Sequence, residues 1–383
     1  MTRATLLVLS FSPIVADARV LKQVELFKDR YDVTTCGFGP APAGVVDHVE
    51  VPAGLSATDV DGRLITARWY SRAYWSTSAV AWARRSLRGR RFDVVLANDV
   101  EAVPVAVGLA PTYGVHADLH EYAPAQHDEN AAWKKRIAPY KAWICRRYVT
   151  RAASVTTVAD GIAAEYRRVF GVEAGVVTNA APFHDLQPGA VPAPEEGPLR
   201  LVHSGVAQRK RRLDLLVDAV HATPADVTLD LFLMPNDPAH LLELRERAAA
   251  DPRGRVRFHE PVAYAQLVET LNRYDVGLAV FPFVNFNIRW SLPNKLFDYV
   301  QARLGVVVGP SPEMAGRVEQ WGVGVVSPDF SVESLTEVLT SLDRETVRGL
   351  KESAHARARE LSAEIEVAGW QRAVDALVEG GAA

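Results

Sequence analysis

Short apolar runs alternate with stretches of helical period along the whole 383-residue chain. In the first half, residues 5–10, 32–37, 92–97, 115–120, 154–158 and 174–178 read as strands. Residues 18–30, 69–87, 102–111, 131–152 and 160–170 lie between them and read as helices. A second series of short apolar runs covers residues 199–205, 229–233, 255–259, 276–283, 305–310 and 323–326, again with helices between. Strands that are apolar on both faces and alternate with helices predict parallel sheets joined by helical crossovers. Between the two series, Pro182, Pro188, Pro192, Pro194 and Pro198 mark a linker. The expected fold class is therefore α/β, with two Rossmann-like, doubly wound parallel-sheet domains facing a central cleft. The expected boundaries are 1–180, a linker at 181–198, 199–361, and a closing helix over 362–383 that could pack back on the first domain.

Composition narrows the class. Apolar residues make up 48% of the chain and mean hydropathy is −0.02, as in a globular protein. No apolar run reaches the ~18 residues of a membrane span. Residues 1–10 resemble a short signal segment, but Asp17, Arg19 and Lys22 follow at once, which favours a first core strand. Cys36 and Cys145 are the two cysteines; they suggest reduced core positions in a cytoplasmic protein rather than a disulfide scaffold.

The net charge of −3 conceals an asymmetry. Residues 1–182 carry 22 Lys and Arg against 18 Asp and Glu, whereas residues 183–383 carry 21 against 28. Residues 63–91 contain eight arginines and no acid; residues 134–151 contain seven basic residues and again no acid. Trp69, Tyr70, Tyr74, Trp75 and Trp82 are interleaved with the first stretch, and Trp133, Tyr140, Trp143 and Tyr148 with the second. Such a mixture suits an anionic membrane surface or a phosphate-bearing acceptor. It equally suits aromatics in a core beneath solvated arginines. The acidic pI of about 6.4 and the lack of a recognition module argue against nucleic acid as a partner.

The most informative segment is Ser291-Leu-Pro-Asn-Lys-Leu-Phe-Asp-Tyr299. Pro293 is suited to the first turn of a helix. Lys295 and Asp298 then share one helical face, at the C-terminal end of a buried strand, where α/β folds bind ligands. A phosphate and a sugar hydroxyl are the matching ligands; an internal ion pair on a surface helix is the plain alternative. A related arrangement follows the strand that ends at Gly205, where Arg209, Lys210, Arg211 and Arg212 run into the next helix. Cations at a helix start oppose its dipole, and an anion held there would reverse that cost. No GxGxxG loop and no Walker lysine motif is present. Asp59-Val-Asp61 matches a metal-binding Asp-x-Asp, but a three-residue match in a loop is common by chance, so no metal site is expected.

Strand–Gly–basic loop–helix, followed by Leu-Pro-Asn-Lys-Leu-Phe-Asp-Tyr, resembles the donor half of the GT-B glycosyltransferases, most closely the retaining family 4 group. Phe92-Asp-Val-Val-Leu-Ala-Asn-Asp99 and Ala117-Asp-Leu-His-Glu121 are similar to that group's acceptor-domain strands. The resemblance implies a hexosyltransferase-type enzyme. It would take a nucleotide-diphosphate sugar as donor and a hydroxyl acceptor (a glycan, lipid-linked or small molecule), and need neither cofactor nor metal. It implies that Arg209, Lys210 or Arg211 holds the donor diphosphate with Lys295. Gly205 and Asn294 would line that site, Asp298 would bind the ribose, and Glu313 would stand at the neighbouring helix start. His120 would face the transferred sugar, with Asp99 at the adjacent strand end; a helix N-cap is the other reading of Asp99. Two departures stand out: many members of that group carry two glutamates separated by seven residues, and here Asp298 replaces the second while Trp290 occupies the place of the first. An epimerase or hydrolase of nucleotide sugars on the same scaffold, or a non-catalytic scaffold, are the alternatives.

Overall fold

The computed structural model describes residues 3–381, and these fall into two compact units. Unit 1 comprises the chain up to Thr178, the segment Asn285–Asn287 and the chain from Val367 onward; unit 2 comprises Asn179–Val284 and Ile288–Glu366.

Unit 1 is built on β1 (Thr5–Pro13), β2 (Asp32–Phe38), β3 (Asp47–Val51), β4 (Val94–Asn98), β5 (Gly114–Leu119), β6 (Ser154–Thr157) and β7 (Ala174–Val176). All pairings are parallel, in the order β3-β2-β1-β4-β5-β6-β7. Leu6, Val8, Val94 and Leu96 of the central strands pack against Val20 and Phe27 of helix Ala18–Phe27, and against Trp370 and Val374 of helix Ala368–Gly381. That last helix thus belongs to unit 1.

Unit 2 repeats the plan with β8 (Leu199–Val206), β9 (Val227–Met234), β10 (Val256–His259), β11 (Val276–Ala279), β12 (Gly305–Val308) and β13 (Gly324–Val326). Its order is β10-β9-β8-β11-β12-β13, again wholly parallel. Each sheet reverses its winding beside its first strand, between β1 and β4 and between β8 and β11. These switch points open a crevice beyond the strands' C-terminal ends.

Local departures from the sequence expectation have identifiable causes. β3, Asp-His-Val-Glu-Val, is an edge strand whose polar alternation hid it among the loops. The helix expected over 69–87 is two, Tyr70–Ser76 and Ser78–Ser86. Ser76 and Thr77 turn their hydroxyls onto the Ala73 carbonyl, at 3.2 and 2.9 Å, and Thr77 adopts an extended backbone. Pro293 stands at the N-cap of helix Asn294–Gln301 rather than inside its first turn. The four cations do not enter a helix either. Arg209–Arg211 form a 3-10 turn, Arg212 is left-handed at φ 49°, and Asp214 begins the helix that follows. The dipole penalty expected from the sequence is therefore not incurred there.

Candidate active site

In unit 2, the end of β8 and the start of helix Asn294–Gln301 meet at the switch point. Gly205 has φ +155°, and a Cβ there would lie 2.9 Å from Lys295 Nζ. Only glycine combines that backbone with so close a cation. Lys295 Nζ lies 3.1 Å from His203 Nε2, while His203 Nδ1 lies 2.7 Å from the Leu278 carbonyl. A carbonyl can only accept, so Nδ1 carries the imidazole proton and Nε2 accepts from Lys295. Burial, reinforced by the Lys295 charge, keeps His203 well below the ordinary histidine value and hence neutral.

Arg211 completes the group. Its guanidinium sits 4.8 Å from the centre of the Phe281 ring, and Lys295 Nζ sits 5.7 Å from the same ring. Burial and the Arg211 charge bring Lys295 down to about 7, against the raising effect of Asp298. Asp298 is buried on the next turn and lies 3.5 Å from the Tyr264 hydroxyl. Tyr299 closes the floor: its ring packs where a Cβ on Gly277 would come within 2.4 Å, and its hydroxyl donates to the Leu278 carbonyl at 3.3 Å.

The other candidates stand apart. Arg209 forms a bidentate pair with Glu243 at 2.6 and 2.7 Å, and Arg212 pairs with Asp214 at 2.9 Å. Lys210 and Asn294 are exposed. Glu313 is buried in the first turn of helix Pro312–Trp321, 3.6 Å from Arg317, while Ser311 holds the N-cap position. Of the basic loop, then, Arg211 is the residue the structure places with Lys295.

Unit 1 gathers a second polar group at its own switch point. Asp99 follows β4 with a left-handed φ of 61°, a conformation that costs about 1–2 kcal/mol for a non-glycine residue. In return its carboxylate accepts the His120 backbone N–H at 3.0 Å and lies 3.2 Å from His120 Nδ1. The carboxylate caps no helix N-terminus; Asn98 occupies the N-cap position of helix Asp99–Leu109. On the far side of the ring, His120 Nε2 lies 3.2 Å from Asn98 Oδ1 and 3.6 Å from Asp118 Oδ2. Burial pulls the imidazole down, but Asp99 and Asp118 outweigh it, so His120 holds its proton above the ordinary value.

Asp118 was not singled out from the sequence, nor was Arg19, which binds it through two bonds of 2.7 Å. Gln23 and Thr156 also donate to it, each at 2.7 Å. Burial opposes ionisation of Asp118, yet Arg19 and His120 hold it well below the usual carboxylate range. The available signal was a carboxylate inside the buried β5, and a cation on the apolar side of the first helix. A cavity of about 270 Å³ opens beside this network, lined by Ser10, Asn98, Asp99, Glu101, Glu121 and Lys141 among others. Burial and the Asp99 charge push Glu121 up to about 7. Lys141 forms a close ion pair with Glu101. Asp61, from the discounted Asp-x-Asp, caps helix Gly62–Thr66. Among the described residues, no three His, Cys, Asp or Glu side chains are grouped to hold a metal ion.

Solved structures share this architecture over the full chain. The HepE protein of Anabaena, solved with UDP, superposes with a TM-score of 0.70 at 13% identity, covering 99% of this chain and 100% of that one. The chain has the GT-B fold. Sucrose-phosphate synthase from Thermosynechococcus elongatus gives the same TM-score, 0.70, at 13% identity, with 99% and 100% coverage. WaaG, a glycosyltransferase involved in lipopolysaccharide biosynthesis, gives 0.63 at 13% identity, with 96% and 98% coverage. No protein-family model matches the chain, and no curated protein matches it in sequence.

Proposed function

We propose that the protein is a glycosyltransferase that moves a sugar from a nucleoside-diphosphate donor to a hydroxyl acceptor with retention of configuration. The observation that carries this reading is the convergence of Lys295 and Arg211 beside Gly205 at the unit 2 switch point. The HepE protein, which has the same fold, has been solved with UDP and with UDP-glucose. In the proposed reaction, Lys295 and Arg211 neutralise the diphosphate as the bond to the sugar breaks. Gly205 lets the phosphates approach the backbone, and Asp298 accepts hydrogen bonds from the ribose. Unit 1 serves the acceptor through the cavity beside Asp99, and His120 faces the sugar. These side chains, rather than a metal ion, supply the positive charge in this proposal.

Donor binding should be linked to protons. A diphosphate beside Lys295 restores its ammonium form, so binding above pH 7 takes up about one proton. Affinity for UDP, or for whichever nucleotide binds, should be greatest below pH 7 and fall by up to about tenfold per pH unit above it. Calorimetry in two buffers of different ionisation enthalpy reads that proton directly; pH-independent binding would place the phosphates elsewhere.

The reaction class is tested by incubating the protein with UDP-, GDP- and dTDP-sugars without an acceptor. A transferase leaves the sugar's configuration unchanged and hydrolyses the donor slowly. Rapid epimer formation would overturn the proposal, and so would the absence of thermal stabilisation by every nucleotide tried.

A further inference from the structure

A second recess in unit 1 shares no residue with the cavity beside Asp99. It is a shallow, open depression of about 410 Å³, lined by Arg68, Tyr70, Pro139, Trp143, Arg146 and Arg147. Its residues come from the second half of helix Ala131–Arg147 and from the chain where it enters helix Tyr70–Ser76. Tyr70 packs against Trp143 with ring centres 6.0 Å apart and against Tyr140 at 5.8 Å, giving the recess an aromatic floor. Arg68 is held at φ 58°, the left-handed region, at the rim.

The charge balance is what calls for a ligand. Three guanidinium groups line the recess, no carboxylate does, and none of the three forms an ion pair among the described residues. Like charges gathered without a counter-ion repel one another, and a phosphate among them reverses the sign. Two further observations favour a surface over a soluble ion. Trp69, between the lining residues Arg68 and Tyr70, is 57% exposed, an unusual position for so large an apolar ring. The flanking stretches, residues 63–91 and 134–151, contain no acid of their own; Arg90 and Lys141 are met by Asp47 and Glu101 from elsewhere, whereas no such carboxylate meets the three arginines of the recess among the described residues.

We infer that this recess takes the phosphate of an anionic phospholipid headgroup, with Trp69 seated among the headgroups beside it. The protein would then rest on a membrane as a peripheral contact; among the described residues no helix is long and apolar enough to cross one. The binding needs no donor or acceptor, so it stands or falls separately from the sugar-transfer reading.

The test is co-sedimentation of the full chain with phosphatidylcholine vesicles, with and without about a third phosphatidylglycerol. The chain should bind only the anionic vesicles, and weaken with added salt. Each arginine near such a surface is worth about fivefold in affinity, so the triple variant Arg68→Ala, Arg146→Ala, Arg147→Ala should bind about 100-fold more weakly. All three are exposed, and its melting temperature should match the parent's. Trp69→Ser should weaken binding while leaving every charge in place. The inference is overturned if neutral vesicles bind equally well, or if Arg85→Ala, Arg88→Ala, outside the recess, costs as much as the triple variant. Binding of free glycerol phosphate as tight as that of the anionic vesicles would also overturn it, because the recess would then be a soluble-phosphate site.

Discussion

Replacing Lys295 with methionine should lower kcat/KM by at least about 10²–10³-fold while the protein stays folded. The ammonium is half-buried, beside His203 and the Phe281 ring, and faces a second cation in Arg211. Removing it relieves that repulsion, so stability should change little even as the proposed charge stabilisation of a leaving diphosphate is lost. Arginine should not rescue activity. Gly205 leaves room for a slender amine, and a planar guanidinium at that distance would have to displace the β8 backbone. Steady-state kinetics on the methionine and arginine variants, with melting temperatures beside them, decide the matter. Activity within about threefold of the parent in the methionine variant would remove Lys295 from the reaction.

Arg19→Met should cause the largest loss of stability. The side chain makes two bonds to Asp118, donates to the Val177 carbonyl at 2.9 Å and stacks 4.6 Å from the Trp370 ring. Methionine fills much of the space but leaves Asp118 charged and fully buried, at a cost of about 3–5 kcal/mol. For a chain of this size that corresponds to a melting temperature lower by roughly 10 °C. The sign of the pH dependence is a sharper check. In the parent, the depressed Asp118 pKa contributes stability that is present above the unfolded value near 4 and is lost in acid. In the variant, Asp118 keeps only His120 to favour its charged form. The deficit should therefore be greatest at neutral pH and shrink as the solution is acidified. Adding Asp118→Asn should recover part of the loss, whereas a full deficit in the double variant would mean that packing, not charge, is the cause.

These two residues mark how far the sequence could be read. The interior strands declared themselves through continuous apolar runs, and the Lys295 segment through a proline followed by a lysine and a carboxylate three apart. Arg19 and Asp118 gave no such signal because their meaning lies in their partnership, across 99 positions of chain. His203 gave no signal for the same reason, since Lys295 is 92 positions away. Among the cations of the basic loop, composition could not choose. The choice is made by a 3-10 turn and a left-handed Arg212, which send Arg211 to Phe281 and leave Arg209 with Glu243. Backbone geometry of that kind has no periodicity for a sequence reading to detect.

Trp370 has a consequence for the order in which the molecule is completed. It is fully buried in a cluster drawn mainly from the first hundred residues, and it covers Arg19. During synthesis those early strands emerge long before helix Ala368–Gly381 exists to cover them. Unit 2, whose residues end at Glu366, can therefore mature while its predecessor still exposes an apolar face. The part of the protein made first is the part finished last, and a ribosome stalled before Trp370 would hold a nascent chain in need of a chaperone.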